Sequence, residues 1–447
     1  MNISKLMKNP LITGSLLMTA AGVISRIIGF FYRIFLSRTI GAEALGVYQL
    51  VNPVMVMCFA LTTSSIQTSI SKFVGDVTGS CRETLCDEKK ARCYLYLGLA
   101  LSIILSLLVG IVIYRNADWL ALNILGEARC APLLVLLTYS LLPSSIHACI
   151  NGYYYGKKHA LVPSLCQLIE QVGRVGSVFL IYQVLMAEGK SMTEWHAFAG
   201  LVIGECFGLV VSLLAYATKP RIPLRDYLSL KDCLAPMGLA LGGMILPLTA
   251  NRVLVSLSSS LENLLIPQRL QTFGYSSRDA LSIYGILTGM TMSIILFPGV
   301  LTNSFSVLLL PAVSEAKAQE NNSKIHAVIQ KAVVYGLLLG LVFTALFLVG
   351  GDWIGVHLFH NALAGSFIKR LSFLCPLMYI TSLLNSIMNG LGMAKNVLGI
   401  NLLACLIRIS MIWFLVPVQG IGAYLWGLLI SQVFATIACI ILLRNQG

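Results

Sequence analysis

Apolar residues run in blocks along this chain, and each block has the length of a membrane span. A transmembrane helix needs about 20 predominantly apolar residues. Twelve such runs occur, at roughly 11–36, 46–71, 93–114, 130–155, 160–186, 195–217, 234–260, 281–309, 326–350, 366–390, 396–416 and 420–443. Short polar stretches separate them. Pro143, Pro163, Pro247, Pro298 and Pro376 fall inside the runs. They predict kinks, which membrane helices tolerate where neighbours satisfy the freed backbone groups. The pattern predicts an all-α polytopic membrane protein of about twelve transmembrane helices.

Polar positions inside the runs carry the functional information. Arg26 and Arg33 lie within the first run, seven residues apart. Seven residues is close to two helical turns, so both side chains leave the same face, together with Gly22 and Gly29. A charge near the middle of a membrane helix costs about 2.5–3.5 kcal/mol on insertion scales. Two such charges in one span call for ionic partners, water or a charged substrate. The stripe predicts a helix with lipid behind it and a polar cavity in front.

Composition agrees. Of 447 residues, 57% are hydrophobic and 11% charged, against roughly 25% charged in a soluble domain. The net charge of +13 needs no nucleic acid to explain it, because cytoplasmic loops accumulate Lys and Arg. The first run has arginines within it and no small-residue cleavage site, so it reads as a retained span rather than a signal peptide. The twelve cysteines are scattered with no Cys-x-x-Cys. They read as free thiols, with no metal site and no cofactor. His357 and His360 read as surface residues.

Lys and Arg set the expected orientation. With the N-terminus inside, inner segments hold eighteen basic residues and outer segments eight. This bias predicts a plasma-membrane protein with both termini cytoplasmic. Five arginines remain inside runs (Arg26, Arg33, Arg174, Arg252, Arg408), with three glutamates (Glu170, Glu205, Glu262).

The chain also resembles itself. Glu43-Ala-Leu-Gly-Val-Tyr48 recurs as Asp279-Ala-Leu-Ser-Ile-Tyr284, 236 residues later. Asn151-Gly152 with Lys157 recurs as Asn389-Gly390 with Lys395, at an offset of 238. Six runs per half give the halves one orientation, hence a parallel pseudo-two-fold repeat. The expected domains are a six-helix bundle over 1–217, a cytoplasmic linker over 218–233 and a second six-helix bundle over 234–447. At the repeat offset Glu170 aligns with Arg408, so one position carries opposite charges in the two halves.

The seventh run continues as a polar ridge of Asn251, Arg252, Ser256, Ser259, Ser260 and Asn263 at helical spacing, with Glu262 beside it. Asn251, Arg252 and Glu262 join Arg26 and Arg33 as candidate substrate-binding residues. Small serines that pack helices closely would give the same pattern. Glu170 and Arg174 form an i,i+4 pair in the favourable order. Glu170, Arg174, Glu205 and Arg408 are assigned either to ion or proton coupling or to buried charge pairs. No catalytic constellation is present, and no phosphate-binding lysine loop points to ATP.

These residues resemble a known superfamily. Ser25-Arg26-Ile-Ile-Gly29-Phe30 and Gly41-Ala-Glu-Ala-Leu-Gly46-Val-Tyr48 resemble the multidrug/oligosaccharidyl-lipid/polysaccharide exporters. The segment from Leu261 through Pro267 and Arg269, then Tyr284-Gly285, Leu287-Thr-Gly-Met290 and Leu310-Pro311-Ala-Val-Ser314-Glu315, looks like the stage V sporulation protein B branch. The resemblance implies two bundles around a V-shaped cavity. It also implies flipping of a polyprenyl-pyrophosphate-linked saccharide such as a peptidoglycan precursor. Membrane lipids and cell-wall synthesis enzymes would be its partners. Arg26 matches the motif directly, whereas relatives carry their second arginine where this chain has Tyr32. A cation-coupled exporter of small organic cations is the alternative within the superfamily. Its acidic cavity would run against the charge here.

Overall fold

The fold is seen in a computed structural model. The structure describes residues 10–78, 85–218, 231–299 and 322–444, with scattered positions between 301 and 319. The linker expected over 218–233 and the Leu310–Glu315 match lie almost wholly outside the described residues.

Every regular element among the described residues is helical. That follows from the solvent: lipid offers no hydrogen bonds, so each span must satisfy its own backbone. Among the described residues eleven helices are long and apolar enough to cross a membrane, or twelve if one bent pair counts as a span. They are α1 (Pro10–Thr39), α2 and α3 (Gly41–Phe59 and Ser65–Thr78, one continuous span), α4 (Leu85–Arg115), α5 (Cys130–Gly156), α6 (Leu161–Ala187), α7 (Glu194–Ala217), α8 (Lys231–Phe273), α9 (Ser277–Gly285, which continues through a π-helical turn to Leu296 as one span), α10 (Asn322–Trp353), α11 and α12 (Ala362–Leu371 and Leu374–Gly390), α13 (Ala394–Phe414) and α14 (Ile421–Arg444). The expected seventh span ended at 260, yet α8 continues to Phe273 through Pro267.

Irregular turns have local causes. A π-helical turn over Ala60–Ser64 joins α2 to α3. Such a turn loosens the backbone ladder. Hydroxyls repair it: Ser64 Oγ donates to the Phe59 carbonyl at 3.1 Å, and Ser102 of α4 donates to the Thr62 carbonyl at 2.5 Å. The tenth run is a broken span, bent by 55° between α11 and α12. Pro376 has no N–H to offer the Ser372 carbonyl. That carbonyl accepts instead from Cys375 N–H at 3.0 Å and from Thr344 Oγ1 of α10 at 2.9 Å. Pro143, by contrast, lies within an uninterrupted α5, and Pro163 sits in the first turn of α6, where proline is tolerated.

Packing separates the backbone into two compact units, residues 1–29 with 50–257 and residues 30–49 with 258–447. The cuts fall inside α1 and α8, so each of these helices contributes to both units. In the first unit Ile66, Ile70, Leu95, Ile150 and Tyr153 form a core that includes Leu241 and Ile245 from the start of α8. In the second, Leu383, Leu384, Ile387, Ile400 and Cys439 pack α12 with α13 and α14.

Within the second unit the two repeated segments meet each other. Gly46 of α2 lies on the Leu281 carbonyl of α9, and Gly285 lies on the Ala42 carbonyl. A Cβ at either glycine would overlap those oxygens, so the approach of the two backbones requires both glycines. Arg278 Nε donates to Glu43 Oε2 at 2.7 Å across the same contact.

Candidate functional site

The arginines of α1 are distributed by its change of unit. Arg26, in the first unit, is exposed and makes no hydrogen bond to any described residue. Arg33, in the second, donates from Nη1 to Ser293 Oγ at 2.9 Å, and Ser293 passes its own proton to the Gly289 carbonyl at 2.6 Å. Arg38 donates to the Leu358 and His357 carbonyls at 2.7 and 2.5 Å. It thereby serves backbone acceptors in the π-helical turn Ile354–Leu358.

The α8 ridge is not uniform. Asn251 is exposed and Arg252 Nη2 donates to Thr68 Oγ1 of α3 at 2.9 Å. Ser256 and Ser260 are buried, while Asn263 donates to the Ser259 carbonyl and accepts from the Tyr284 hydroxyl at 3.3 Å. The ridge thus resolves into exposed positions at 251 and 259 and packed ones at 256 and 260.

The first unit holds a buried charge cluster on three helices. Gly204 of α7 lies against Arg174 and the Glu170 carbonyl of α6. This close approach brings Glu205, only 4% exposed, beside both. Arg174 Nη2 donates to Glu170 Oε1 at 2.7 Å and lies 3.7 Å from Glu205 Oε1. The i,i+4 pair expected from the sequence is therefore present, and Glu205 extends it. The far oxygen of Glu205 lies 2.8 Å from His147 Nε2 on α5. Asn151 Nδ2 lies 3.5 Å from His147 Nδ1, and Cys166 Sγ lies 3.9 Å from the same atom.

His147 was not singled out in the sequence. Its signal is a stripe of polar residues on the otherwise apolar α5: Ser140, Ser144, His147 and Asn151, all on one helical face and all buried. One ligand atom each from His147, Glu170 and Glu205 lies within 4.8 Å of the others. That spacing suits a metal ion in principle, and no sequence spacing foretold it. Two contacts oppose a metal. The imidazole nitrogen is bonded directly to the carboxylate, and the Arg174 guanidinium shares both acids.

A second cluster lies in the second unit. Glu262 of α8, 7% exposed, accepts from Arg408 Nε of α13 at 2.7 Å and from the Tyr424 hydroxyl of α14 at 2.7 Å. Arg408 Nη1 also reaches Ser431 Oγ at 3.5 Å. Glu262 and Arg408, read separately from the sequence, are thus one buried pair. A third cluster lies where α4 meets α5. Glu88 accepts from Arg92 Nε at 2.9 Å, from the Tyr153 hydroxyl at 2.7 Å, and from Lys157.

Comparisons with known proteins agree on one class. Residues 11–317 match the family described as polysaccharide biosynthesis protein. Stage V sporulation protein B of Bacillus subtilis (strain 168) is 25% identical over 93% of this chain and 79% of that protein. Lipid II flippase MurJ of the same organism is 23% identical over 70% of this chain and 60% of its own length. Among solved structures, an inward-facing multidrug resistance MATE family transporter of the MOP superfamily superposes with a TM-score of 0.78 at 15% identity, covering 94% of each chain. MurJ in an inward closed conformation superposes with a TM-score of 0.72 at 12% identity, covering 96% of this chain and 87% of that one. With well over half of its length matched, the chain belongs to the polysaccharide biosynthesis protein family and is a multi-pass membrane protein with the fold of the multidrug/oligosaccharidyl-lipid/polysaccharide exporter superfamily.

Proposed function

We propose that this transporter is a flippase for a lipid-linked saccharide pyrophosphate, a peptidoglycan precursor such as lipid II. It carries the head group from the cytoplasmic to the outer leaflet of the cell membrane by alternating access. The observation that carries this reading is Arg26: exposed, free of partners among the described residues, and inside an apolar helix. An arginine kept there without a carboxylate suits an anionic ligand, because its planar fork binds phosphate oxygens bidentately. Arg33 and Arg252 are bonded only to neutral hydroxyls in the described contacts, so each keeps an uncompensated positive charge. The acids of the membrane region, Glu170, Glu205 and Glu262, all lie against arginines: Glu170 and Glu205 against Arg174, and Glu262 against Arg408. That charge arrangement favours the anion reading over export of organic cations. Likeness to lipid II flippase MurJ supports the same substrate class.

Flipping in reconstituted proteoliposomes tests this. A fluorescent saccharide on a polyprenyl pyrophosphate should move across the bilayer, and the same saccharide on an uncharged lipid should not. Equal movement of both would reject the anion reading. For orientation, a cysteine placed at Lys90 should resist impermeant thiol reagent applied from outside, and one at Arg278 should react. The opposite pattern would invert the topology.

A further inference from the structure

Two other acids among the described residues are at least matched by fixed cations: Glu262 faces Arg408, and Glu88 faces Arg92 and Lys157. The α5–α6–α7 cluster differs in holding more acid than fixed cation. Glu170 and Glu205 bring two negative charges and Arg174 one positive, so the cluster carries −1 when His147 is neutral and zero when His147 is an imidazolium. A lone net charge so deeply buried is costly. One added proton removes it.

The surroundings of His147 accept both states. In the neutral ring, Nε2–H donates to Glu205 at 2.8 Å, and Nδ1 faces the Asn151 amide nitrogen at 3.5 Å. In the imidazolium, Nδ1 also carries a hydrogen and needs an acceptor. Asn151 is 7% exposed and its Oδ1 is buried with no hydrogen-bond partner. A half-turn of that amide brings the orphan oxygen to Nδ1. The same side chain therefore serves as donor to one state and acceptor to the other.

We propose that His147, Glu205, Glu170 and Arg174 form a single-proton site within the first unit, with Asn151 as its two-way partner, and that this proton is the ion coupled to transport. The coupling rests on the transporter reading above; the site itself does not. Binding converts a bonded imidazole–carboxylate pair into imidazolium–carboxylate, and the turn of the Asn151 amide is the one other change in bonds. A metal ion would have to separate His147 Nε2 from Glu205 and displace Arg174, whereas a proton leaves both of those contacts in place. The groups facing His147 are Glu205 from α7 and Cys166, Glu170 and Arg174 from α6. On its other side α4 meets α5 through Glu88 at Tyr153 and Lys157, more than a turn further along, and Arg92 pairs with Glu88 and lies over the Tyr216 ring of α7. From α3, Gln67 lies against Gly152, and Lys72 and Asp76 lie beyond it on the same helix.

The test is nitrogen-15 NMR of histidine-labelled protein in lipid nanodiscs, from about pH 5 to about pH 11, a range wide enough for an imidazole whose charged form is favoured by a bonded carboxylate. The His147 signal, identified by its loss in His147→Gln, should pass between imidazole and imidazolium. In Glu205→Gln it should stay neutral over a wider range. In Asn151→Leu, which keeps the carboxylates, its midpoint should fall by about one pH unit, the equivalent of one hydrogen bond. In proteoliposomes a pH gradient should change the wild-type flipping rate and leave Glu205→Gln unaffected by the gradient. A His147 signal fixed in one state throughout, or one that moves with added sodium or zinc at constant pH, would overturn the site. A titrating signal with flipping indifferent to the gradient would overturn the coupling. If no lipid pyrophosphate is flipped at all, the substrate reading fails while the titration still decides the site.

Discussion

The two buried clusters, one in each packing unit, use similar residues and reach different balances. In the second unit Glu262, Arg408 and Tyr424 make a neutral, fully bonded set on α8, α13 and α14. In the first, two acids share one arginine and lean on a histidine. The repeat makes the contrast sharper, since Glu170 and Arg408 occupy the same repeat position with opposite sign. A neutral pair has one charge state and acts as a clamp. A cluster one charge short of neutral has two states separated by a proton. One repeated scaffold thus supplies a fixed element in one unit and a switchable one in the other.

The largest expected effect comes from removing the clamp's cation. Arg408→Leu leaves Glu262 buried and unpaired, a loss of about 3–5 kcal/mol, visible as a lower melting temperature and folded yield in detergent. Arg174→Leu should cost less, because His147 or a carboxyl in that cluster can take a proton. Equal losses would erase the distinction between the two clusters. Glu262→Leu combined with Arg408→Leu should then recover most of the single-variant loss, as buried pairs replaced by apolar residues generally do. A double variant no more stable than Arg408→Leu would show that the pair is needed for more than mutual neutralisation. Tyr424→Phe removes one buried donor from Glu262 and should cost about 1–3 kcal/mol, leaving the charge balance intact. The smallest effect belongs to the exposed Arg278–Glu43 pair. Arg278→Ala should change the melting temperature by the equivalent of about 0–1 kcal/mol, and a larger change would mean that the Gly46–Gly285 contact depends on it.

Why some of this could be read from the sequence is a matter of distance along the chain. Spans are local, so hydropathy located the helices, and the tenth run differed only in being broken at 372–373, where Pro376 withholds its donor. Glu170–Arg174 is four residues apart and was legible as an i,i+4 pair. His147 and Glu205 are 58 residues apart, and Glu262 and Arg408 are 146 apart. No periodicity connects such positions, and only packing reveals the partners. The extension of α8 to Phe273 was missed because Glu262 and Pro267 resemble the end of a span. In the structure Glu262 is neutralised by Arg408, which removes the charge penalty at that point.

The most direct measurement of the central claim is the flipping rate of a fluorescent lipid pyrophosphate by Arg26 variants at matched protein abundance in the membrane. Arg26 has no structural partner among the described residues, so Arg26→Ala should fold and insert normally. Its rate should fall to the protein-free background, and Arg26→Lys should regain only part, since a lysine keeps the charge but loses the bidentate fork. A wild-type rate in Arg26→Ala would contradict the account and remove Arg26 from the substrate path.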